Sequence, residues 1–246
     1  MLELRGRLVA PGKALMARML LVCEQNMLRP PDDREVTRYP DAMWYENLWD
    51  AFDLRSLDSF SATPLTVVTF NYDRSLEYHL VRALRVRFEA SDKECAEALD
   101  SIGPIHLHGQ LGFLPGFSED AGKVVGFGGL PGGITAVDCI RAAQAIKILH
   151  EANPSDDAFA RAQSAIAAAE RVIFLGFGYA RKNVERLRLD ACMRLTTKLY
   201  LCVTGYTEQQ LRTHILPALN RWPTAGAGTK NEDIVQFFHR FPEALL

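Results

Sequence analysis

Four short apolar runs limit what this chain can fold into more than any other feature. They are LTVVTF (65–70), PIHLHG (104–109), RVIFLGFG (171–178) and KLYLCVTG (198–205). The first of them, β-branched, short and unalternating, suits a strand covered on both sides, which is how parallel strands are buried. After the first run, Leu76, Leu80, Ala83, Leu84 and Phe88 recur at helical intervals. Helical stretches also follow over 136–148, 158–170 and from Asn183. Such alternation predicts an α/β chain, a doubly wound and mostly parallel sheet with helices on both faces.

At 246 residues the chain is long enough for one well-buried domain spanning 1–246, its first 60 residues helical. A hydrophobic share of 48% with 24% charged residues is that of a globular protein and argues against disorder. A net charge of −2 argues against non-specific binding to nucleic acid or acidic membranes. Cys23, Cys95, Cys139, Cys192 and Cys202 are dispersed, without a CxxC pair. That spacing predicts no zinc, and it fits reduced thiols in a cytoplasmic protein. Arg18 interrupts the apolar residues near the N-terminus, so an amphipathic helix over 12–28 is expected there rather than a signal peptide. The proline-rich stretch 29–40 reads as a loop, the glycine-rich stretch 112–133 as an irregular flap, and Gly226-Ala227-Gly228 as a surface loop. Thr207 and Gln210 have capping-box spacing, and a last helix is expected from Asn231.

Ligands of open parallel sheets bind beyond the carboxyl ends of the strands, so those ends are where chemistry is sought. Three carry unusual residues. The first run breaks into Asn71-Tyr72-Asp73. Here Asp73 caps the next helix and Asn71 braces the turn, or the pair presents an amide and a carboxylate to a ligand; the two are not exclusive. The second is His106-Leu107-His108-Gly109. In a strand both histidines share one face, either as a hydrogen-bonded pair or with His108 as a general base beside a glycine that admits a ligand. The third, Gly176-Phe177-Gly178 with Asn183 downstream, is a tight turn or a backbone cradle for ribose or phosphate.

In this order, TFNYD, HLHG and FLGFGYARKN resemble the motifs of the sirtuin-like superfamily, and most closely its zinc-free prokaryotic branch of antiphage-defence NAD⁺-hydrolysing domains. The resemblance covers about 65–205 and implies a Rossmann-like fold. It implies NAD⁺ as substrate, His108 as catalytic base and Asn71 as the residue positioning water or ribose. Asp73 would contact the nicotinamide carboxamide, and Gly109, Gly176, Gly178 and Asn183 would line the nucleotide site. The family's first strand and Gly-Ala-Gly-x-Ser pyrophosphate loop have no counterpart, LRGRLVAPGK being a poor substitute. The alternative is a non-catalytic module that senses a nucleotide or ADP-ribose and acts through a homo-oligomer or a partner domain. A conventional dehydrogenase is disfavoured, because no strand-linked GxGxxG with a downstream acid exists.

Overall fold

The computed structural model describes residues 2–28, 44–52, 54–148, 156–179, 181–219, 221–229 and 231–245; the loop expected over 29–40 lies outside them. The first half of the chain holds α1 (Leu2–Met27), α2 (Trp44–Asp50), α3 (Leu57–Ser61), β1 (Val68–Thr69), α4 (Ser75–Phe88), α5 (Asp92–Ile102), β2 (Ile105–His106) and α6 (Ala136–Ala145). The second half holds α7 (Asp157–Ala168), β3 (Arg171–Phe174), α8 (Arg181–Leu187), α9 (Leu189–Cys192), β4 (Lys198–Leu201), α10 (Glu208–Gln210), α11 (Leu216–Leu219), β5 (Thr224–Ala227) and α12 (Ile234–Arg240). These are short parallel sheets with helices around them, an α/β arrangement. The strands form two sheets, β1-β2 and β3-β4-β5, where the sequence suggested one. The chain divides into two compact units, Met1–Asp32 with Asp53–Asn153 and Asp33–Phe52 with Pro154–Leu246.

In the first unit β1 and β2 run parallel, Val68 opposite Ile105 and Thr69 opposite His106. The segment LRGRLVAPGK is helical, part of α1, which begins well before the expected residue 12 and carries Pro11 inside it. Ala17 and Leu21 of α1 pack on Cys139, Ala142, Ala143 and Ile146, the small side chains letting α1 and α6 approach closely. Helix α4 buries Glu77, Leu80, Val81 and Leu84, a face turned slightly from the one that Leu76 and Phe88 suggest. It ends in a left-handed Glu89, and α5 then opens on a Ser91–Glu94 capping box. The flap expected over 112–133 is exposed mainly between Pro115 and Lys123. Its second half is anchored through buried Val125 and Phe127.

That anchor is ionic as well as apolar. Arg74, with no exposed surface, meets the carboxylate of Glu24 in α1, Nη2 to Oε2 at 2.6 Å and Nε to Oε1 at 3.1 Å. Its remaining donors reach the carbonyls of Val125 at 2.5 Å and Gly126 at 3.3 Å. Glu24 in turn accepts the Gly128 N–H at 3.0 Å and the Arg74 backbone N–H at 3.1 Å. A buried pair is tolerable only when its leftover hydrogen-bonding groups are satisfied, as they are here. The pair ties three segments together: α1, the start of α4 and the 125–128 turn.

In the second unit β3, β4 and β5 are all parallel, in that order. One face packs Ile173, Tyr200 and Cys202 against Phe237 and Phe238 of α12, with Trp44 of α2 at its edge. The expected surface loop at 226–228 is corrected, because Gly226 and Ala227 belong to β5. A Cβ on Gly226 would come within 2.8 Å of the Phe241 ring and 3.0 Å of the Tyr200 ring, so the strand carries glycine where aromatic rings lie on it. The Thr207–Gln210 capping box forms as expected. The last helix starts at Ile234 rather than Asn231, capped by Asp233, whose side chain accepts the Gln236 N–H at 2.8 Å.

Candidate functional site

Within the first unit, the ends of β1 and β2 bring the Asn-Tyr-Asp and His-Leu-His-Gly segments together. The link is His106. Its Nδ1 lies 2.8 Å from the Asn71 carbonyl and its Nε2 2.6 Å from Glu77 Oε1. Both partners are acceptors when Glu77 is ionised, so both ring nitrogens then donate and the ring is an imidazolium. Burial pushes the His106 pKa down, but the Glu77 hydrogen bond and charge and the Asn71 carbonyl outweigh it, leaving the pKa above the usual histidine value.

Asn71 is exposed. Its backbone is held at both groups, the N–H by Thr69 Oγ1 at 3.0 Å and the carbonyl by His106. The side-chain amide makes no hydrogen bond among the described residues. Asp73 Oδ1 accepts the N–H of Ser75, the first residue of α4, at 3.3 Å. The expectation that Asp73 caps the helix is corrected: Arg74 holds the N-cap position, and Asp73 braces the turn before it. The contact is the two-residue Asx type, the position next to the helix being Arg74, without a side-chain cap.

The expectation that His106 and His108 share one strand face is corrected. Strand β2 stops at His106, and His106, Leu107 and His108 are all buried. The chain turns because its hydrogen bonds leave the sheet: the Gly109 N–H bonds the His106 carbonyl at 3.2 Å, and the His108 carbonyl accepts from Lys147 at 2.7 Å. His108 is 6% exposed, its ring centre 5.5 Å from that of Phe70 and 6.3 Å from that of Tyr72, to which it stands edge-on. Tyr72 is fixed at its tip, its hydroxyl donating to the Lys147 carbonyl at 3.1 Å. Gly109 has a reason of its own to be glycine. Its φ is +74°, and a Cβ there would sit 1.9 Å from the Ala145 carbonyl oxygen, so it accommodates the protein's own backbone.

Gly176, Gly178 and Asn183 lie in the second unit, after β3. Both glycines are exposed, and a Cβ on either would meet nothing within 4 Å, so this backbone is approachable where Gly109 is not. Gly176 has φ +54°, and Tyr179 holds φ +44°, a strained value for a residue with a side chain. The strain is held by contacts at both ends of the ring. The Tyr179 hydroxyl donates to the Cys202 carbonyl at 3.3 Å, and its ring stands edge-on to Phe177 and Tyr206, centres 5.1 and 5.7 Å away. Tyr206 donates in turn to the Gly178 carbonyl. Burial raises the Tyr179 pKa, so its phenol remains a donor at neutral pH. Asn183 is half-buried on α8.

Sequence reasoning missed Glu77 and Glu24. A signal for Glu77 existed: with Leu80, Val81 and Leu84 it sits at i, i+3, i+4 and i+7, a carboxylate on an otherwise apolar face. Among the described residues no group of three or more His, Cys, Asp or Glu side chains is placed to hold a metal ion, and no helix is long and apolar enough to cross a membrane. No protein-family model, no curated protein and no solved structure matches the chain.

Proposed function

We propose that the chain is a sirtuin-like, Rossmann-like domain that binds NAD⁺ and hydrolyses its nicotinamide–ribose bond, in the manner of cytoplasmic antiphage-defence effectors. One observation carries the reading. The Asn71-Tyr72-Asp73 turn and the His108 segment, 35 residues apart for the Asn71–His106 contact, stand side by side at the carboxyl ends of two parallel strands. That is where open α/β sheets hold their ligands.

In this reading the C1′–N bond of NAD⁺ breaks and the bonding pair leaves with nicotinamide, which departs neutral. The ribosyl centre takes on oxocarbenium character, as in glycoside hydrolysis. A water oxygen then bonds C1′, and its proton passes to His108. The unengaged Asn71 amide orients that water or a ribose hydroxyl. Asp73 holds the nicotinamide carboxamide through Oδ2, Oδ1 being committed to Ser75. His108 is more than nine-tenths buried, so a ligand reaches it only when a neighbouring side chain shifts. In the second unit, the exposed backbone of Gly176 and Gly178 is open to a ribose or phosphate group.

The experiment is to incubate the full chain with NAD⁺ and follow free nicotinamide. His108→Ala should lower turnover by about 10²-fold or more, the share of a general base. Asn71→Ala should do likewise without altering thermal stability, since that side chain is exposed and carries no bond. Turnover that survives His108→Ala removes His108 as the base. Absence of both turnover and NAD⁺ binding removes the enzyme. The second reading, a sensor that binds NAD⁺ or ADP-ribose without cleaving it, is favoured by the 6% exposure of His108. Calorimetric binding of either nucleotide with no nicotinamide release would select it.

A further inference from the structure

The starts of the strands in the second unit hold a cluster that the reading above does not use. β3 begins at Arg171 and β4 at Lys198, and the two are register partners. Partners in a parallel ladder project on the same face, and two residues further on that face Ile173 and Tyr200 pack into the α12 core. Two cations therefore stand opposite each other on adjacent strands, an arrangement that destabilises a sheet. Among the described residues neither has a carboxylate within ion-pair distance.

A third cation joins them. Arg194, in the turn before β4, lines the same groove with Arg171, Lys198, Thr196 and Glu170, around a cavity of about 280 Å³. Both guanidiniums are tethered by a single nitrogen. Arg194 Nη2 donates to the Ala168 carbonyl at the end of α7 at 2.6 Å, and Arg171 Nη1 to the Glu243 carbonyl at 3.2 Å. Tethering fixes each fork and leaves its other N–H groups for a ligand. The turn itself is pinned by Thr197, whose hydroxyl donates to the Ala169 carbonyl at 3.0 Å. Helix-end capping accounts for Arg194 alone. It gives no reason for Lys198 opposite Arg171.

We propose that this groove is a binding site for a phosphate-bearing small molecule. Three cations against the one carboxylate of Glu170 leave a surplus of positive charge, and bound phosphate removes the cross-strand repulsion. Guanidinium forks match phosphate oxygens two at a time, and the Thr196 hydroxyl adds a donor. The cavity falls just below the range of about 300–1,000 Å³ for drug-sized ligands and suits a phosphate or pyrophosphate group. The site lies at the amino ends of the strands and is independent of the NAD⁺ reading.

The test is calorimetric titration of the full chain with inorganic pyrophosphate, against sodium chloride at matched ionic strength, with Tm followed in parallel. Saturable binding is expected, together with a rise in Tm. Lys198→Met should weaken that binding tenfold or more and should raise the Tm of the ligand-free protein, because the repulsion with Arg171 is gone. Lys198→Arg, which keeps the positive charge, should bind pyrophosphate more tightly than Lys198→Met. ADP and ribose 5-phosphate as parallel probes identify the source of the phosphate, a tighter ADP marking a nucleotide. Three results would each overturn the proposal: no response to pyrophosphate beyond the chloride control, an unchanged response in Lys198→Met, or a lower ligand-free Tm in that variant.

Discussion

Replacing Glu77 by glutamine removes the charge beside His106 while leaving an oxygen where the acceptor stands. The pair is buried, its side chains 9% and 4% exposed, with 2.6 Å between Nε2 and Oε1. Deleting one partner of such a pair outright costs about 3–5 kcal/mol. Glutamine keeps an acceptor, so the loss should be nearer the contribution of a hydrogen bond to a charged group, about 1.5–3 kcal/mol. At roughly 2–4 °C per kcal/mol for a chain of this size, Tm should fall by about 3–12 °C near pH 6. The sign with pH follows from the raised His106 pKa. Its stabilisation is complete below the unfolded value of about 6.5 and is lost as pH rises through the higher folded value. The variant, lacking the charge that does the raising, loses it at lower pH. The Tm difference should therefore be widest near pH 6 and narrow by pH 9. Thermal melts across that range measure it, and the His106 Cε1–H resonance reports the titration. A constant difference at every pH, or a wild-type His106 titrating at or below 6.5, would refute the ionic reading of the pair.

Other perturbations separate the remaining parts of the structure. Glu24→Ala strands the buried Arg74 guanidinium and should cost about 3–5 kcal/mol in urea unfolding, whereas a surface glutamate would cost almost nothing. Gly109→Ala drives a Cβ against the Ala145 carbonyl at positive φ and should cost at least the 1–3 kcal/mol typical of backbone strain, while Gly178→Ala, exposed and open, should stay within about 0.5 kcal/mol. The same melts read both. Gly226→Ala should lose about 1–3 kcal/mol by overpacking Phe241 and Tyr200, and near-UV circular dichroism should register the displaced rings.

What the sequence revealed was local. The branched runs VVT and RVIF mark β1 and β3 because a pleated, covered strand favours such residues, and the Thr207–Gln210 box marks its helix because the cap is built from neighbours. β5 was hidden because TAGA has a single branched residue, Thr224, and no bulk. Its strand identity comes from the Tyr200 ring of β4 and the Phe241 ring just past α12, packed over Gly226. The Asp233–Gln236 cap was legible as a spacing, and Asn231, equally suited by type, competed with it. At the candidate site, the residue types at 71, 73 and 108 could be read. Their support could not, because Glu24 reaches Arg74 across 50 residues and Glu77 reaches His106 across 29. No periodic pattern encodes contacts at that range.

The Asn71–Asp73 turn is gripped from both sides. His106 holds the carbonyl at its start, and Glu24 holds the Arg74 amide and guanidinium just past its end. Folding has therefore already charged the conformational entropy of ordering this turn, and a ligand docking on the Asn71 amide would find it preorganised. Recognition there should be close to rigid in the backbone, with selectivity set by how well the ligand's geometry matches a fixed turn and only the exposed Asn71 side chain left to be ordered. Slow native-state hydrogen exchange at the Ser75 amide, whose bond to Asp73 lies beside this grip, would be the spectroscopic trace of that rigidity.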